Sequence, residues 1–330
     1  MYDDLPPPTV PESFQVQVCG FEDKDRAERL GYLVGRAVGA LSRNIDLSRL
    51  AGVSIVTDFD AGLRALDRGF ETSRPLSRTK DKVAEGVAMT PMVRRDGINK
   101  WHLMLNAPYF IPLEEIVDTP GVKSDAFAVA LHTLAHECAH VQISAHFDEK
   151  FPGRFNAPWR TDEEKILLQP VVAVWEEYAA NCFAGPYCTE YLQGCSEHTF
   201  IGYLSVAREN CQAGISRFYL HQNWLELFGD AGRAIFEPVR GLAYLLGDMD
   251  GASVDWGAFP AARKALDANP LYKRLSEPIH SELRKLWETW YEWDSFAVFA
   301  PLMKIAHTLY CEMGIHIERY PDGSVTVNIK

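Results

Sequence analysis

The chain has 330 residues and a formal net charge of −12 at pH 7, and its 47% hydrophobic and 24% charged residues are typical of a soluble globular protein. It is long enough for one large domain or two small ones, and its acidic balance excludes general nucleic-acid binding, which needs a basic surface. No apolar run approaches the length of a membrane span, and the N-terminus has neither the basic nor the apolar region of a signal peptide, so we expect no membrane partner.

The first third of the chain predicts an N-terminal tail followed by alternating helix and strand. Residues 1–14 are rich in proline, which predicts an extended or disordered tail. Apolar residues at helical spacing predict a helix over 22–43, and the β-branched run 53–56 predicts a short strand. A helix or turn is expected over 58–69, and the polar segment 70–83 predicts a flexible loop.

A β-hairpin is predicted next. Residues 86–94 and 100–106 flank a turn-like segment, Arg95-Asp96-Gly97-Ile98-Asn99, and the second arm alternates in polarity.

The segment that follows predicts an amphipathic helix with a metal-ligand motif. Ser124 is a good N-cap, and no glycine or proline interrupts 125–147. Within it, His136-Glu137-Cys138-Ala139-His140 reads H-E-x-x-H. Residues four apart share a helix face, so both imidazoles can reach one zinc ion and Glu137 can reach a water on it. This is the ligand-plus-base arrangement of zinc peptidases.

A catalytic zinc takes three protein ligands, and two residues compete to be the third. His146 has the spacing of the longer pattern H-E-x-x-H-x-x-G-x-x-H, but Ile143 stands where that pattern needs a glycine. If the helix continues, His146 lies on another face than His140.

The other candidate is Glu177, on a second predicted helix that Pro170 can begin and Gly185-Pro186 ends. Asn181 is four residues further on and shares its face. Its amide oxygen can accept a hydrogen bond from a metal-bound histidine.

These residues together resemble a known group. H-E-x-x-H followed by Glu177-Tyr178-Ala179-Ala180-Asn181-Cys182-Phe183-Ala184 looks like the gluzincin metallopeptidases. It is most similar to the ImmA/IrrE-like intracellular zinc peptidases, and also similar to membrane-bound peptidases of the prenyl-protein-processing type. By that resemblance His136, His140 and Glu177 would bind one Zn²⁺, Glu137 would be the base, and Asn181 would orient a ligand.

The resemblance rests on about 13 residues within 136–184 and does not extend to 196–330. Many members carry Asp where this chain has Asn181, which supplies no negative charge. The resemblance also implies that the strand before the metal helix pairs with an extended substrate; a purely structural hairpin is the alternative.

The rest of the chain predicts mainly helices, over 197–211, 215–228, 230–247, 260–268 and 278–312, the last with a break near Pro301 and aromatic side chains that are more typical of core than of a ligand site. Asp248-Met249-Asp250-Gly251 is interpreted as a turn, and residues 315–329 as a second hairpin.

The predicted fold class is therefore α+β and zincin-like. A small N-terminal mixed sheet with an active-site helix is followed by a mainly helical half that ends in a β-hairpin. We expect a tail over 1–14, a metallopeptidase core over 15–195 and a helical subdomain over 196–330, packed on the core.

The predicted function is zinc-dependent hydrolysis of peptide bonds in a protein or peptide substrate, with Glu137 activating the water. A zinc hydrolase of a non-peptide bond and a binding or sensing module with little turnover are the alternatives. Seven scattered cysteines without C-x-x-C favour reduced thiols and a cytoplasmic location, with Cys138 in the core. The oxyanion donor stays open among Tyr178, His198, Tyr203, Tyr310 and His316.

Overall fold

The computed structural model describes residues 6–72, 75–118, 121, 123–156 and 159–330. The class is α+β, with a mixed five-stranded sheet in the N-terminal part and a mainly helical C-terminal half that ends in a β-hairpin. The predicted class is confirmed at this level. Residues 1–5 of the predicted tail lie outside the described residues, as do residues 73–74 of the predicted loop.

Two compact units make up the chain. The first contains Met1–Glu149 and Phe183–Leu192, and the second contains Lys150–Cys182 and Gln193–Lys330. The predicted boundary at residue 195 stays a prediction.

The sheet of the first unit has parallel and antiparallel parts. Its strands are β1 (Val16–Cys19), β2 (Leu50–Val56), β3 (Ala88–Met89), β4 (Met92–Arg95) and β5 (Ile98–Asn106). β1 pairs with β2 and β2 with β5 in parallel, whereas β3 and β4 both pair with β5 antiparallel. The turn between β4 and β5 has positive φ at Asp96 (54°) and Gly97 (75°), as a tight hairpin requires.

Two helices of the first unit cover this sheet. α1 (Lys24–Leu41) begins at Asp23, whose carboxylate caps the Arg26 amide, and packs on β1. α2 (Phe59–Ala65) follows β2 and buries Phe59 and Leu63. After β5 come the short helices α3 (Ala107–Phe110) and α4 (Glu115–Asp118), joined by a 3₁₀ turn.

The predicted motif helix is α5 (Asp125–Lys150). Ser124 caps it by accepting a hydrogen bond from the Phe127 amide at 3.1 Å, as predicted. The helix continues without a break through Ile143, which is fully buried.

The remaining helices are α6 (Gln169–Ala184), α7 (Glu190–His221), α8 (Trp224–Leu227), α9 (Arg233–Ala252), α10 (Pro260–Asp267), α11 (Pro270–Thr289) and α12 (Ala300–Glu312). A π-helical turn, 164–168, leads into α6 and another, 228–232, leads into α9. The chain ends in β6 (Ile315–Arg319) and β7 (Val325–Ile329), which confirms the second hairpin.

The core of the second unit is rich in aromatic rings, as predicted. Trp175 on α6 lies with its ring centroid 4.6 Å from Trp293 and 6.3 Å from Phe299. These rings are buried and fill the interior between helices.

Three predictions for this half were wrong. The helices predicted over 197–211 and 215–228 are one helix through His221. Gly214 does not end it but allows close packing, since a Cβ there would be 2.7 Å from the Ala231 backbone. The long helix predicted over 278–312 is instead α11 and α12, separated by the irregular segment 290–299. The predicted turn 248–251 lies inside α9, where Asp250 accepts hydrogen bonds from other helices.

Within the described part of the chain, no helix is both long and apolar enough to cross a membrane.

Candidate metal centre

His136 and His140 face each other on α5. Their Nε2 atoms are 3.0 Å apart, and the rings meet edge to face with centroids 4.7 Å apart. Two imidazoles on one tetrahedral zinc, with Zn–N of 2.0–2.1 Å, place their nitrogens about 3.3 Å apart. The helical spacing therefore brings both nitrogens to the separation that a shared ion requires.

Glu137 lies between these histidines in sequence and is held from the sheet. The Thr90 hydroxyl, between β3 and β4, lies 2.6 Å from Glu137 Oε2 and 3.1 Å from the Glu137 carbonyl oxygen, and it can donate to both. The Glu137 side chain is buried at 8% exposure. Thr90 thus fixes the position of the candidate base, a role that no local pattern in the sequence indicates.

The strand nearest in sequence to α5 is not an edge. β5 pairs with β2 on one side and with β3 and β4 on the other. The expectation that this strand would offer its backbone to a substrate is wrong, because both sides of β5 carry a partner. The outermost pairing on that side belongs to β3 and β4, which flank Thr90.

Cys138 is fully buried, and burial raises the pKa of its thiol. Burial also raises the pKa of Tyr187, with a further contribution from Cys138, so the two side chains lie near each other. Tyr187 belongs to the 3₁₀ turn Gly185–Tyr187 that directly follows α6. Cys138 is a core residue, as predicted, and the chain leaving α6 packs beside the motif.

His146 lies on α5 as well. Because the helix continues to Lys150, His146 is six residues beyond His140, or about 600° of rotation. It therefore lies on a different face of α5 from His136 and His140.

Another histidine, His132, precedes His136 by one turn and was not considered from the sequence. It is buried, and one of its ring nitrogens lies within 4.8 Å of Cys188 Sγ.

Glu177 and Asn181 lie one turn apart on α6. The Asn181 amide nitrogen donates to the Glu177 carbonyl oxygen at 3.1 Å, so its side-chain oxygen remains the atom that can accept from an imidazole. α9 approaches this turn closely. A Cβ on Gly247 would lie 2.4 Å from the Tyr178 carbonyl oxygen and 2.6 Å from Asn181 Cβ.

A half-buried arginine on α9 lies near Glu177. Arg240 forms an ion pair with Glu237 at 2.8 Å, and Arg233 binds the same carboxylate at 3.0 Å. Burial opposes the charge of Arg240, but Tyr244, Glu177 and Glu237 outweigh it and raise the pKa of Arg240. Sequence reasoning missed Arg240 and Tyr244, although charged and phenolic groups four apart in an apolar run are a detectable signal.

Two of the predicted oxyanion donors have other partners. The Tyr178 hydroxyl donates to Asp250 at 2.6 Å, and the Tyr310 hydroxyl donates to the Ile166 carbonyl oxygen at 3.4 Å. Both side chains are almost fully buried. Tyr203 is buried too, and it lies near Tyr244 and Arg240.

Comparison with known proteins adds no assignment: no family model, curated protein or solved structure matches the chain.

Proposed function

We propose that the protein is a zinc-dependent metallopeptidase with a zincin-like fold of the gluzincin type, similar to the ImmA/IrrE-like peptidases. The observation that carries the proposal is the 3.0 Å separation of His136 Nε2 and His140 Nε2 beside a buried Glu137. One helix turn thus carries two metal ligands and a carboxylate with a fixed position. Histidines that only fill a core need neither a second imidazole at this distance nor a carboxylate such as that of Glu137 beside them.

The proposed ligand set is His136, His140 and Glu177, one atom from each. α5 continues without a break, so His146 lies on a different face of the helix from His136 and His140. His146 is therefore not the proposed third ligand. Glu177 is favoured by the motif spacing, and α6 leads into the turn whose Tyr187 lies near Cys138. The Asn181 amide oxygen would accept a histidine N–H and hold that ring in place.

A zinc ion bound there would polarise the scissile carbonyl and lower the pKa of a bound water to about 7. Glu137 then takes a proton from the attacking water and delivers it to the leaving amine. The Thr90 hydroxyl holds the Glu137 carboxylate in one position, so little reorganisation is needed before the proton moves. The reaction consumes one water and yields a carboxylate and an amine.

Charge that develops on the carbonyl oxygen needs a donor. Arg240 and Tyr244 are the best candidates, because both lie near Glu177 and Arg240 is held in place by Glu237. The substrate is a protein or peptide, and the proposed binding edge is β3 with β4, whose residues adjoin Thr90.

Two measurements test the proposal. Elemental analysis of the purified protein should give about one zinc per chain, and Glu137→Gln should keep that zinc. Proteome-derived peptides should be cleaved by the wild type and at least about a hundredfold more slowly by Glu137→Gln, since a general base contributes that much. Glu149→Gln, on the exposed end of the same helix, is the matched control and should cleave normally.

Protein that carries no zinc would refute the proposal. Equal cleavage by wild type and Glu137→Gln would refute the role of Glu137. Zinc-loaded wild type that cleaves nothing would favour a sensing module or hydrolysis of a non-peptide bond instead.

A further inference from the structure

A small cavity lies in the second unit, and none of the residues of the proposed catalysis belongs to its lining. Its volume is about 150 Å³, and helices α9, α10 and α11 and the 3₁₀ turn Trp256–Ala258 contribute its lining. Drug-sized ligands and nucleotides need roughly 300–1,000 Å³, whereas an apolar cavity of about 150 Å³ accommodates benzene. The cavity therefore suits a ligand of a few heavy atoms.

The inner lining is apolar and buried. Leu246 and Leu266 are 0% and 1% exposed, and the Trp256 ring is half-buried beside them. A branched aliphatic group placed there would be removed from water at a gain of about 25 cal/mol per Å². This end of the cavity selects an apolar side chain.

The outer lining carries charges of both signs. Arg263 and Lys273 are cationic, and Asp267 binds both, at 3.6 and 3.1 Å. Glu277 lines the cavity one turn of α11 beyond Lys273. One carboxylate shared by two cations leaves an excess positive charge on that side, and Glu277 supplies a negative charge in the same lining. A zwitterion matches this arrangement, while a multiply charged anion faces an overall neutral set.

His280 adds a polar group in the buried part of the lining. It is 6% exposed, and its Nε2 lies 2.9 Å from Asp250 Oδ2. Burial alone would favour the neutral acid, but bonds from His280, Arg284 and Tyr178 outweigh it and lower the pKa of Asp250. The contact with Asp250 holds the His280 ring in the lining of the cavity.

We propose that this cavity binds a free amino acid with a small apolar side chain. Arg263 and Lys273 bind its α-carboxylate, and Glu277 binds its α-ammonium group. Leu246, Leu266 and Trp256 contact the side chain. The proposal goes beyond the peptidase function and does not depend on it, because no residue of the proposed ligand set, base or oxyanion donors lines the cavity.

Isothermal titration of the full chain with L-leucine tests the site. Binding is expected at one ligand per chain, with Kd in the range of about 0.1–5 mM, typical of so small a ligand. Leucinamide lacks the carboxylate, 4-methylpentanoate lacks the ammonium group and glycine lacks the side chain. Each should bind at least about tenfold more weakly than leucine, and inorganic phosphate should not compete.

Matched variants separate this cavity from any other site, including the proposed zinc centre. Lys273→Met and Glu277→Gln should each weaken leucine binding at least about tenfold, a loss of about 1.4 kcal/mol. Lys264 on α10 and Glu288 on α11 are exposed and lie outside the cavity lining, so Lys264→Met and Glu288→Gln should leave Kd within about twofold.

Three results would overturn the proposal. They are no binding heat with leucine at about 10 mM, an unchanged leucine affinity in both lining variants, and binding of phosphate in preference to leucine. Circular dichroism of each variant checks that it is folded, and a lining variant that is folded and binds leucine as the wild type does counts against the site.

Discussion

The two helices that carry the candidate ligands are supported in different ways. α5 carries His136, Glu137 and His140 within one and a half turns, and the contact that fixes Glu137 comes from Thr90 in the sheet. α6 carries Glu177 and Asn181, and its support comes from α9, whose Gly247 allows backbone-to-backbone approach. The helix of the two histidines is thus supported by a side-chain hydrogen bond at Glu137, and the helix of Glu177 by close packing against α9.

The sequence also predicts the candidate ligands on α5 more directly than the candidate ligand on α6. The α5 motif follows from helical periodicity alone, since residues four apart share a face. The role of Glu177 rests on resemblance, because nothing in its own helix distinguishes it from its neighbour Glu176. The predictions below test each half separately.

The largest expected effect is on zinc affinity. Replacing a true ligand, as in His140→Ala or Glu177→Ala, should lower zinc affinity more than the 10–100-fold typical of an outer-shell change. Asn181→Ala should fall within that 10–100-fold range. Competition with a chromogenic chelator measures all three. His146→Ala is the matched control and should leave affinity within about threefold of wild type; a larger loss in His146→Ala than in Glu177→Ala would reverse the ligand assignment.

The next effect concerns pH and distinguishes the two units. Burial, with a smaller contribution from Arg95, lowers the pKa of His102 on β5 to about 4 from 6.5. The folded state therefore holds fewer protons than the unfolded state between these values. Neutral His102 contributes about 2–3 kcal/mol to the free energy of unfolding. This contribution is complete above about pH 6.5 and is lost as the pH falls toward 4.

Asp250 in the second unit has a lowered pKa, so its contribution persists until the pH falls below the usual aspartate value of about 3.9. Urea unfolding from pH 7 to 4 should show the His102 loss, and His102→Gln should flatten that slope. An identical slope in His102→Gln would show that another group is responsible.

A packing test addresses α6. Gly247→Ala should lower the free energy of unfolding by about 1–3 kcal/mol, because its Cβ would overlap the Tyr178 backbone and Asn181. Gly39→Ala is the matched control, since Gly39 lies in α1 with nothing within 4 Å of a new Cβ. It should raise stability by about 0.5–1 kcal/mol through helix propensity. Chemical denaturation measures both, and a neutral Gly247→Ala would contradict the close approach.

The smallest effect concerns Thr90. Thr90→Val removes the hydroxyl that donates to Glu137 and should lower kcat about tenfold while leaving zinc content and KM unchanged. Thr90→Ser keeps the hydroxyl and should restore most of the rate. A purely structural role would instead lower the rate in both variants together with the melting temperature.

Much of the fold was predictable from local patterns. The caps and boundaries of α1 and α5, the turn at Asp96-Gly97 and the C-terminal hairpin follow from residue types at fixed spacing. β1 was missed although Val16 and Val18 alternate with Gln17 and Cys19 at the period of a strand, because the segment is only four residues long. The continuity of α7 through Gly214 was missed because this glycine serves close packing against the distant Ala231 backbone and does not end the helix.

The sequence by itself determined the HExxH face, the N-cap of its helix and the chemistry of the candidate ligands, because each depends on residues within one or two helical turns. Only the tertiary structure decided that Thr90 holds Glu137, that Arg240 and Tyr244 lie near Glu177, and that β5 has partners on both sides. The pairs Thr90–Glu137, Glu177–Arg240 and Glu177–Tyr244 join residues 47 to 67 positions apart in the sequence. No local sequence period encodes a contact at that separation.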